Sequence, residues 1–252
     1  MLKSYMCHLQ GMTQDELIQH KEDPNELGGI FIVNGNEKLI RLFITPKRNH
    51  PFAQCRNTFL KRGPLYTNMA VSIRCLKPDQ SAFSNFLHYL KHSGMQFRFN
   101  YMRIEYTLPV ALLLKALTNA SDLDIFKQTN NQQILRDIHQ YNASTQQDYL
   151  ALLGQRFSSI LGLIGDATAS GHYLLCHMIL PHATDYQQKY DLLIFMINQL
   201  MDLANGRIQA DDMDATSTHE VLLPGHLYNA IIKEHLHPVS YTHLTLPTTP
   251  YV

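Results

Sequence analysis

His172, Cys176 and His177 fall within six residues, and imidazole nitrogens with a thiolate are donor types that hold zinc. On a helix His172 and Cys176 share a face while His177 turns away, and no second ligand pair completes a tetrahedral set, so ordinary packing is the expected role. Asp211, Asp212 and Asp214 suggest a calcium loop but lack its glycine and distal glutamate, which leaves a solvated acidic loop. Gly162-Leu163-Ile164-Gly165 has the GxxG outline of a backbone-clamping loop, yet its central pair is apolar where phosphate contact favours polar or basic groups. There is no GxSxG, no GxxxxGK[ST], no HExxH and no pair of carboxylates in a catalytic frame. These residues spell out no active site.

Charge carries more. The 21 basic and 21 acidic residues cancel, but unevenly. Met1 to Asn36 holds two basic and five acidic residues, net −3; Glu37 to Arg103 holds twelve and two, net +10; the remainder holds seven and fourteen, net −7. Lys47, Arg48, Arg56, Lys61, Arg62, Arg74, Lys77, Lys91, Arg98 and Arg103 therefore form a candidate patch for phosphates, each neutralised phosphate releasing about one counterion. A solvated strand face is the plain alternative for the same residues.

The elements that position these groups change character along the chain. GGIFIVNGNEKLIRLFI, from Gly28, flanks Asn34-Gly35 with apolar segments and predicts a hairpin, since both residues enter a positive-φ turn at low cost. FSNFLHYL and MQFRFNYMRIEYTL predict a second hairpin around Lys91 to Gly94, with Phe97, Phe99 and Tyr101 alternating against Arg98, Asn100 and Met102. After Met102 the apolar set moves to Ile104, Tyr106 and Leu108, which implies a bulge or a change of covering partner. Pro109 opens a helix over Val110 to Leu117, and helices dominate from there. Ile134, Leu135, Ile138 and Tyr141 give one amphipathic helix; Ser144 with Gln147 reads as a capping box ahead of another carrying Leu150, Leu153, Phe157 and Ile160. Asp185 to Asn205 is a long helix whose core stripe is Tyr190, Ile194, Ile197, Leu200, Met201 and Ala204, ended by Gly206. A last short helix begins near Pro224 and presents Leu227, Ile231 and Leu236. The fold class is α+β, hairpin-rich first and helical after.

At 252 residues, 45% apolar and 17% charged, the chain has the composition of a globular protein, not of a disordered, collagenous or coiled-coil one. Cys7, Cys55, Cys75 and Cys176 are too few and too scattered for a disulfide scaffold, which favours a reducing compartment. No apolar run approaches the roughly 20 residues of a membrane span. The tail from Pro238 to Val252 is rich in Thr and Pro, and no Asp, Glu, Lys or Arg follows Glu234; it reads as foreign to the fold and similar to translated adaptor sequence.

Four segments in order carry a family resemblance: MLKSYMCHLQGMTQDEL with GGIFIVNGNEKLIRLFI; KRGPLYTNMAVSIRCLKPDQS; ILPHATDYQQKYDLLIFMINQLMDLANG; and VLLPGHLYNAIIKEHL. Together they resemble the second-largest, β-like subunit of multisubunit DNA-dependent RNA polymerases, and Glu37 to Arg41 is closer to polymerase I than to polymerase II. The resemblance implies an internal fragment: protrusion over 1–46, lobe over 47–222, a helix returning to the protrusion over 223–237, and a non-native tail over 238–252. It implies one wall of the DNA cleft and a docking surface for other subunits, within a nuclear, nucleolar nucleotidyltransferase. Its partners would be the DNA template, the RNA–DNA hybrid, the largest subunit and a dissociable subunit pair on the lobe. No catalytic residue lies in this stretch by that resemblance. The magnesium of the whole enzyme is held elsewhere, by an aspartate triad of the largest subunit with which Asp211 to Asp214 should not be equated. Lys47, Arg48, Arg56, Lys61 and Arg62 are the candidates facing nucleic acid. A free-standing nucleic-acid-binding module and a small histidine metalloenzyme are the alternatives, both ranked well below the subunit.

Overall fold

The computed structural model describes residues 5, 7–25, 30–39, 41–102, 104–141, 143–161 and 166–244, of which 159, 161 and 237–244 are described by their backbone alone. Along the chain come α1 (Gln14–Gln19), β1 (Ile30–Val33), β2 (Asn36–Leu39), β3 (Phe43–Pro46), β4 (Pro51–Cys55), β5 (Tyr66–Leu76), β6 (Ala82–Leu90), β7 (Met95–Tyr101) and β8 (Ile104–Pro109). Then follow α2 (Val110–Leu117), α3 (Asp122–Thr129), α4 (Gln132–His139), α5 (Gln146–Leu161), α6 (Ala167–His177), α7 (Tyr186–Ala204), β9 (His219–Leu222) and α8 (Pro224–Leu244). The order is that of an α+β protein. The chain forms two compact units, Met1–Thr45 with Glu220–Val252, and Pro46–His219.

In the first unit, β1 and β2 form the Asn34-Gly35 hairpin: Val33 pairs with Asn36, and Asn34 and Gly35 sit at φ 53° and 76°. Those left-handed values give a two-residue turn whose twist matches the strands. Both faces of this hairpin are exposed, including Ile30 and Ile32. Thr13 caps α1 through a reciprocal box with Glu16, Thr13 N–H donating to Glu16 Oε2 at 2.7 Å. β3 pairs with β9. α8 is 21 residues long, not short, its backbone staying helical through Pro238 to Leu244.

The second unit is built on an antiparallel sheet in the order β4-β5-β6-β7-β8. One face carries Val71, Ile73, Cys75, Leu87, Phe97, Phe99 and Leu108, all essentially buried, against helices; α7 packs on β4, β5 and β6, and α2 on β7 and β8. The phase slip after Met102 is neither a bulge nor a new partner. β7 turns back into β8, Tyr101 pairing Ile104, with Met102 at φ 48° in the turn. The positive φ at a methionine is what hides this turn from a glycine- or asparagine-based reading.

The helical layer departs from expectation at three points. The buried face of α7 is Lys189, Tyr190, Leu193, Met196, Ile197, Leu200 and Leu203, rotated from the expected stripe. Lys189 is 1% exposed, and its ammonium donates to the carbonyls of Leu175, Cys176 (3.3 Å) and Ile179 (2.8 Å), satisfying the C-terminal end of α6. Burial depresses its pKa to about 8. The cap of α5 comes from Thr145 and Asp148, not Ser144 and Gln147. The Asp148 carboxylate accepts from Thr145 N–H at 2.9 Å and Ser144 N–H at 3.2 Å, and Asp148 N–H donates to Thr145 Oγ1 at 3.3 Å.

α5 and α6 cross with backbones in contact. A Cβ on Gly154 would lie 1.6 Å from the Ala167 carbonyl oxygen, and one on Gly171 2.3 Å from that of Leu150. Both glycines sit opposite backbone, which cannot swing aside as a side chain can. Gly154→Ala or Gly171→Ala should each destabilise the second unit by about 2 to 4 kcal/mol through overpacking. Urea unfolding of the chain checks this, and an unchanged midpoint for both variants would remove the close crossing.

Candidate nucleic-acid interface

Strand alternation fixes what the second face of the sheet can carry. The residues facing away from the helices include Ser72 and Arg74 on β5, Phe86 and His88 on β6, Gln96 and Arg98 on β7, and Glu105 and Thr107 on β8, with Ser72, Phe86, Arg98 and Thr107 in cross-strand register. The connector between β4 and β5 folds over this face as a 3-10 turn, Asn57–Arg62. Phe59 anchors it at 5% exposure, its ring centroid 5.0 Å from that of His88 and 6.4 Å from that of Phe86, edge to face in both pairs.

Beneath that turn lie two arginines, a carboxylate, a phenol and an imidazole, of which all but the imidazole make side-chain hydrogen bonds. Arg98 is 5% exposed, its guanidinium 3.8 Å from the centroid of Phe86 and bonded to Glu105 Oε1. Arg62 grips the same carboxylate with two nitrogens, Nη1 to Oε2 at 2.5 Å and Nη2 to Oε1 at 3.2 Å. The Arg62 bonds hold Glu105 below the usual carboxylate range and raise Arg62 in return, whereas burial lowers Arg98. Tyr66 donates to Gln96 Oε1 at 2.5 Å, and burial raises its phenol. His88 is fully buried, with no hydrogen-bond partner on either ring nitrogen among the described residues. Burial first, then the charges of Arg98 and Arg62, push its pKa to about 3 against the opposing pull of Glu105.

The basic residues singled out in the sequence fall into distinct places. Arg56, Lys61 and Arg62 belong to the 3-10 connector, and Arg56 and Lys61 are exposed. Lys91 is exposed nearby, its N–H donating to Leu65 O at 2.9 Å. Lys47 and Arg48 are exposed at the other end of β5, where Arg48 bridges Arg74 and Arg74 Nη1 reaches Pro46 O at 3.4 Å. Arg56 N–H meets Asn68 O, six residues along β5 from Arg74, so the two groups stand about 20 Å apart. Arg98 is not a surface cation, because its alternating position places it under the connector. Lys77 lies over the Phe83 ring on the helix-facing side, 4.4 Å from its centroid. Arg103 lies outside the described residues, as does the Gly162 to Gly165 segment.

Glu105 is the member that the sequence did not flag. It stands two residues past the basic block, yet the hairpin at Met102 folds it back onto that block as the counterion of Arg62 and Arg98. The signal was present as an unbroken run without Asp or Glu from Lys38 to Pro78 and again from Gln80 to Ile104, with Glu105 the next acid.

The other candidates resolve into structural roles. His172 Nδ1 lies 2.7 Å from the Tyr186 hydroxyl and Cys176 Sγ 3.6 Å from it, while His177 leans on Tyr173. The aspartates are not simply a solvated loop. Asp211 N–H donates to Ala53 O at 2.8 Å and its carboxylate accepts from Ala53 N–H at 2.7 Å, closing the outer edge of β4, and Asp212 accepts from Asp214 N–H. Among the described residues no three His, Cys, Asp or Glu side chains cluster to hold a metal, and no helix is long and apolar enough to cross a membrane.

His88 makes this layer sensitive to acid. Its folded pKa lies below the unfolded value of about 6.5, so the unfolded chain binds the extra proton and stability falls as pH drops from about 6.5 towards 3. Between pH 7 and 5 the loss should be about 2 kcal/mol. His88→Phe should lose correspondingly less over that range in urea titrations. Parallel wild-type and variant pH profiles would contradict the burial.

The family model of the RNA polymerase beta subunit matches residues 1–242. The chain is 42% identical over 248 residues to the probable DNA-directed RNA polymerase I subunit RPA2 of Schizosaccharomyces pombe, 39% identical over 255 residues to the DNA-directed RNA polymerase I subunit RPA135 of Saccharomyces cerevisiae, and 34% identical over 250 residues to the DNA-directed RNA polymerase I subunit RPA2 of Homo sapiens. Each alignment takes in 93% or 94% of this chain and 21% or 22% of the relative, so the chain spans about a fifth of the length of the curated relatives it matches. The chain belongs to the RNA polymerase beta subunit family and corresponds to a stretch of the second-largest subunit of polymerase I.

Proposed function

We propose that this chain is a non-catalytic wall of the nucleic-acid cleft in RNA polymerase I, with 1–46 in the protrusion and 47–222 in the lobe. The supporting observation is the alignment of nearly the whole chain with polymerase I subunits. The exposed cations of the β4–β5 connector and of the Lys47–Arg48 segment supply the chemistry: fixed positive charge on a rigid sheet, suited to phosphate oxygens of a DNA template or an RNA–DNA hybrid without reading base sequence. Other polymerase subunits, the largest among them, are the protein partners, and the nucleus, in particular the nucleolus, is the place of work. Nucleotidyl transfer belongs to the assembled enzyme, with its magnesium bound outside this stretch.

Replacing Lys47, Arg56 and Lys61 together by alanine in the assembled polymerase should flatten the dependence of log affinity for DNA on log salt by up to about three counterions, without changing preference among sequences. A slope equal to wild type would remove these residues from the cleft.

A further inference from the structure

The Arg62–Glu105 pair is unlike the other contacts of the connector. Its side chains are 28% and 44% exposed, so the pair is open to solvent and of little worth to stability. The other half of the network is not: the side chain of Arg98 is 6% exposed and keeps Glu105 as its counterion. Removing Arg62 from Glu105 therefore leaves no buried charge unpaired. A guanidinium fork that accepts a carboxylate through two nitrogens also fits two phosphate oxygens. It stands beside exposed Lys61 on the same connector, in a sequence neighbourhood free of other acids.

We propose that Arg62 is a masked phosphate-binding residue and Glu105 its intramolecular mask. A nucleic-acid phosphodiester takes the place of the carboxylate on Arg62 while Glu105 remains on Arg98. The exchange rests on the cleft-wall reading above and adds a residue to it. In the wild-type protein Arg62 contributes less than a full phosphate contact, because the carboxylate must first leave.

The test is salt-dependent DNA binding by the assembled polymerase. Glu105→Gln keeps an oxygen for Arg98 but removes the competing charge; it should steepen the slope by up to about one counterion, equivalent to about threefold more affinity loss between 50 and 200 mM salt. Adding Arg62→Ala should return the slope to the wild-type value or below. Arg62→Lys, which retains charge but loses the two-pronged grip, loosens the mask from the other side, leaves Glu105 on Arg98, and should also steepen the slope; it decides the matter if the Glu105 variant does not assemble. An unchanged slope in Glu105→Gln and Arg62→Lys, or a steepening that survives Arg62→Ala, overturns the proposal. The Lys47, Arg56 and Lys61 variant separates the two readings: if it flattens the slope while Glu105→Gln leaves it alone, the wall stands and the mask falls.

Discussion

Burial of Arg98 on the outward face of the sheet is the constraint from which the rest of that face follows. A guanidinium removed from water needs a counterion and a polarisable neighbour, since an unpaired buried charge costs several kcal/mol. Glu105 supplies the first and Phe86 the second. Glu105 can do so only because the chain reverses after Met102 and β8 runs back along β7. Once there, its carboxylate also meets Arg62 in a solvent-open pair, while the buried ring of Phe59 against His88 is what fixes the connector to the sheet. The exposed cations Arg56 and Lys61 are thereby carried on a rigid platform. Rigid placement matters for phosphate contact because a preordered side chain loses less freedom on binding.

The helix-facing side of the same sheet obeys a different rule. Its residues are mainly apolar and buried, with Asn85 as a buried polar member whose amide donates to Met178 O and accepts from Leu180 N–H, both at 3.2 Å, and the helices over them are locked by backbone contact at Gly154 and Gly171 and by the ammonium of Lys189 on the end of α6. Lys189 is the mirror of Arg98: a long cationic side chain turned inward, here satisfied by carbonyl dipoles instead of a carboxylate. Arg98 thus joins neighbouring strands of the sheet, and Lys189 joins α7 to the end of α6. Asp211 does comparable work at the margin, where its carboxylate and amide close the open edge of β4.

What the sequence made legible follows from where local rules act alone. Asn34-Gly35 names its turn because both residues tolerate positive φ, and Pro109, the extended last residue of β8, marks the junction with α2 because it has no N–H with which to continue a strand ladder. Met102 carries no such mark, so the β7–β8 turn reads as a slip in phase. β4 shows no alternation because four of its five residues are buried. The basic block was visible as composition, but composition cannot distinguish Arg98, turned under the connector, from Lys61, left in water. Nor could it show that Glu105, past the end of the block, is its counterion, since that contact is made by strand pairing and not by nearness in sequence.

Membership of the RNA polymerase beta subunit family gives this two-sided sheet its context: one face holds the domain together, and the other carries organised positive charge. The central claim is that the β4–β5 connector looks onto nucleic acid in the working enzyme. A photo-crosslinking amino acid in place of Leu60, which is 47% exposed between Phe59 and Lys61, tests it most directly in an assembled polymerase engaged on template. The account predicts covalent attachment to DNA or RNA; attachment to protein subunits alone would contradict it.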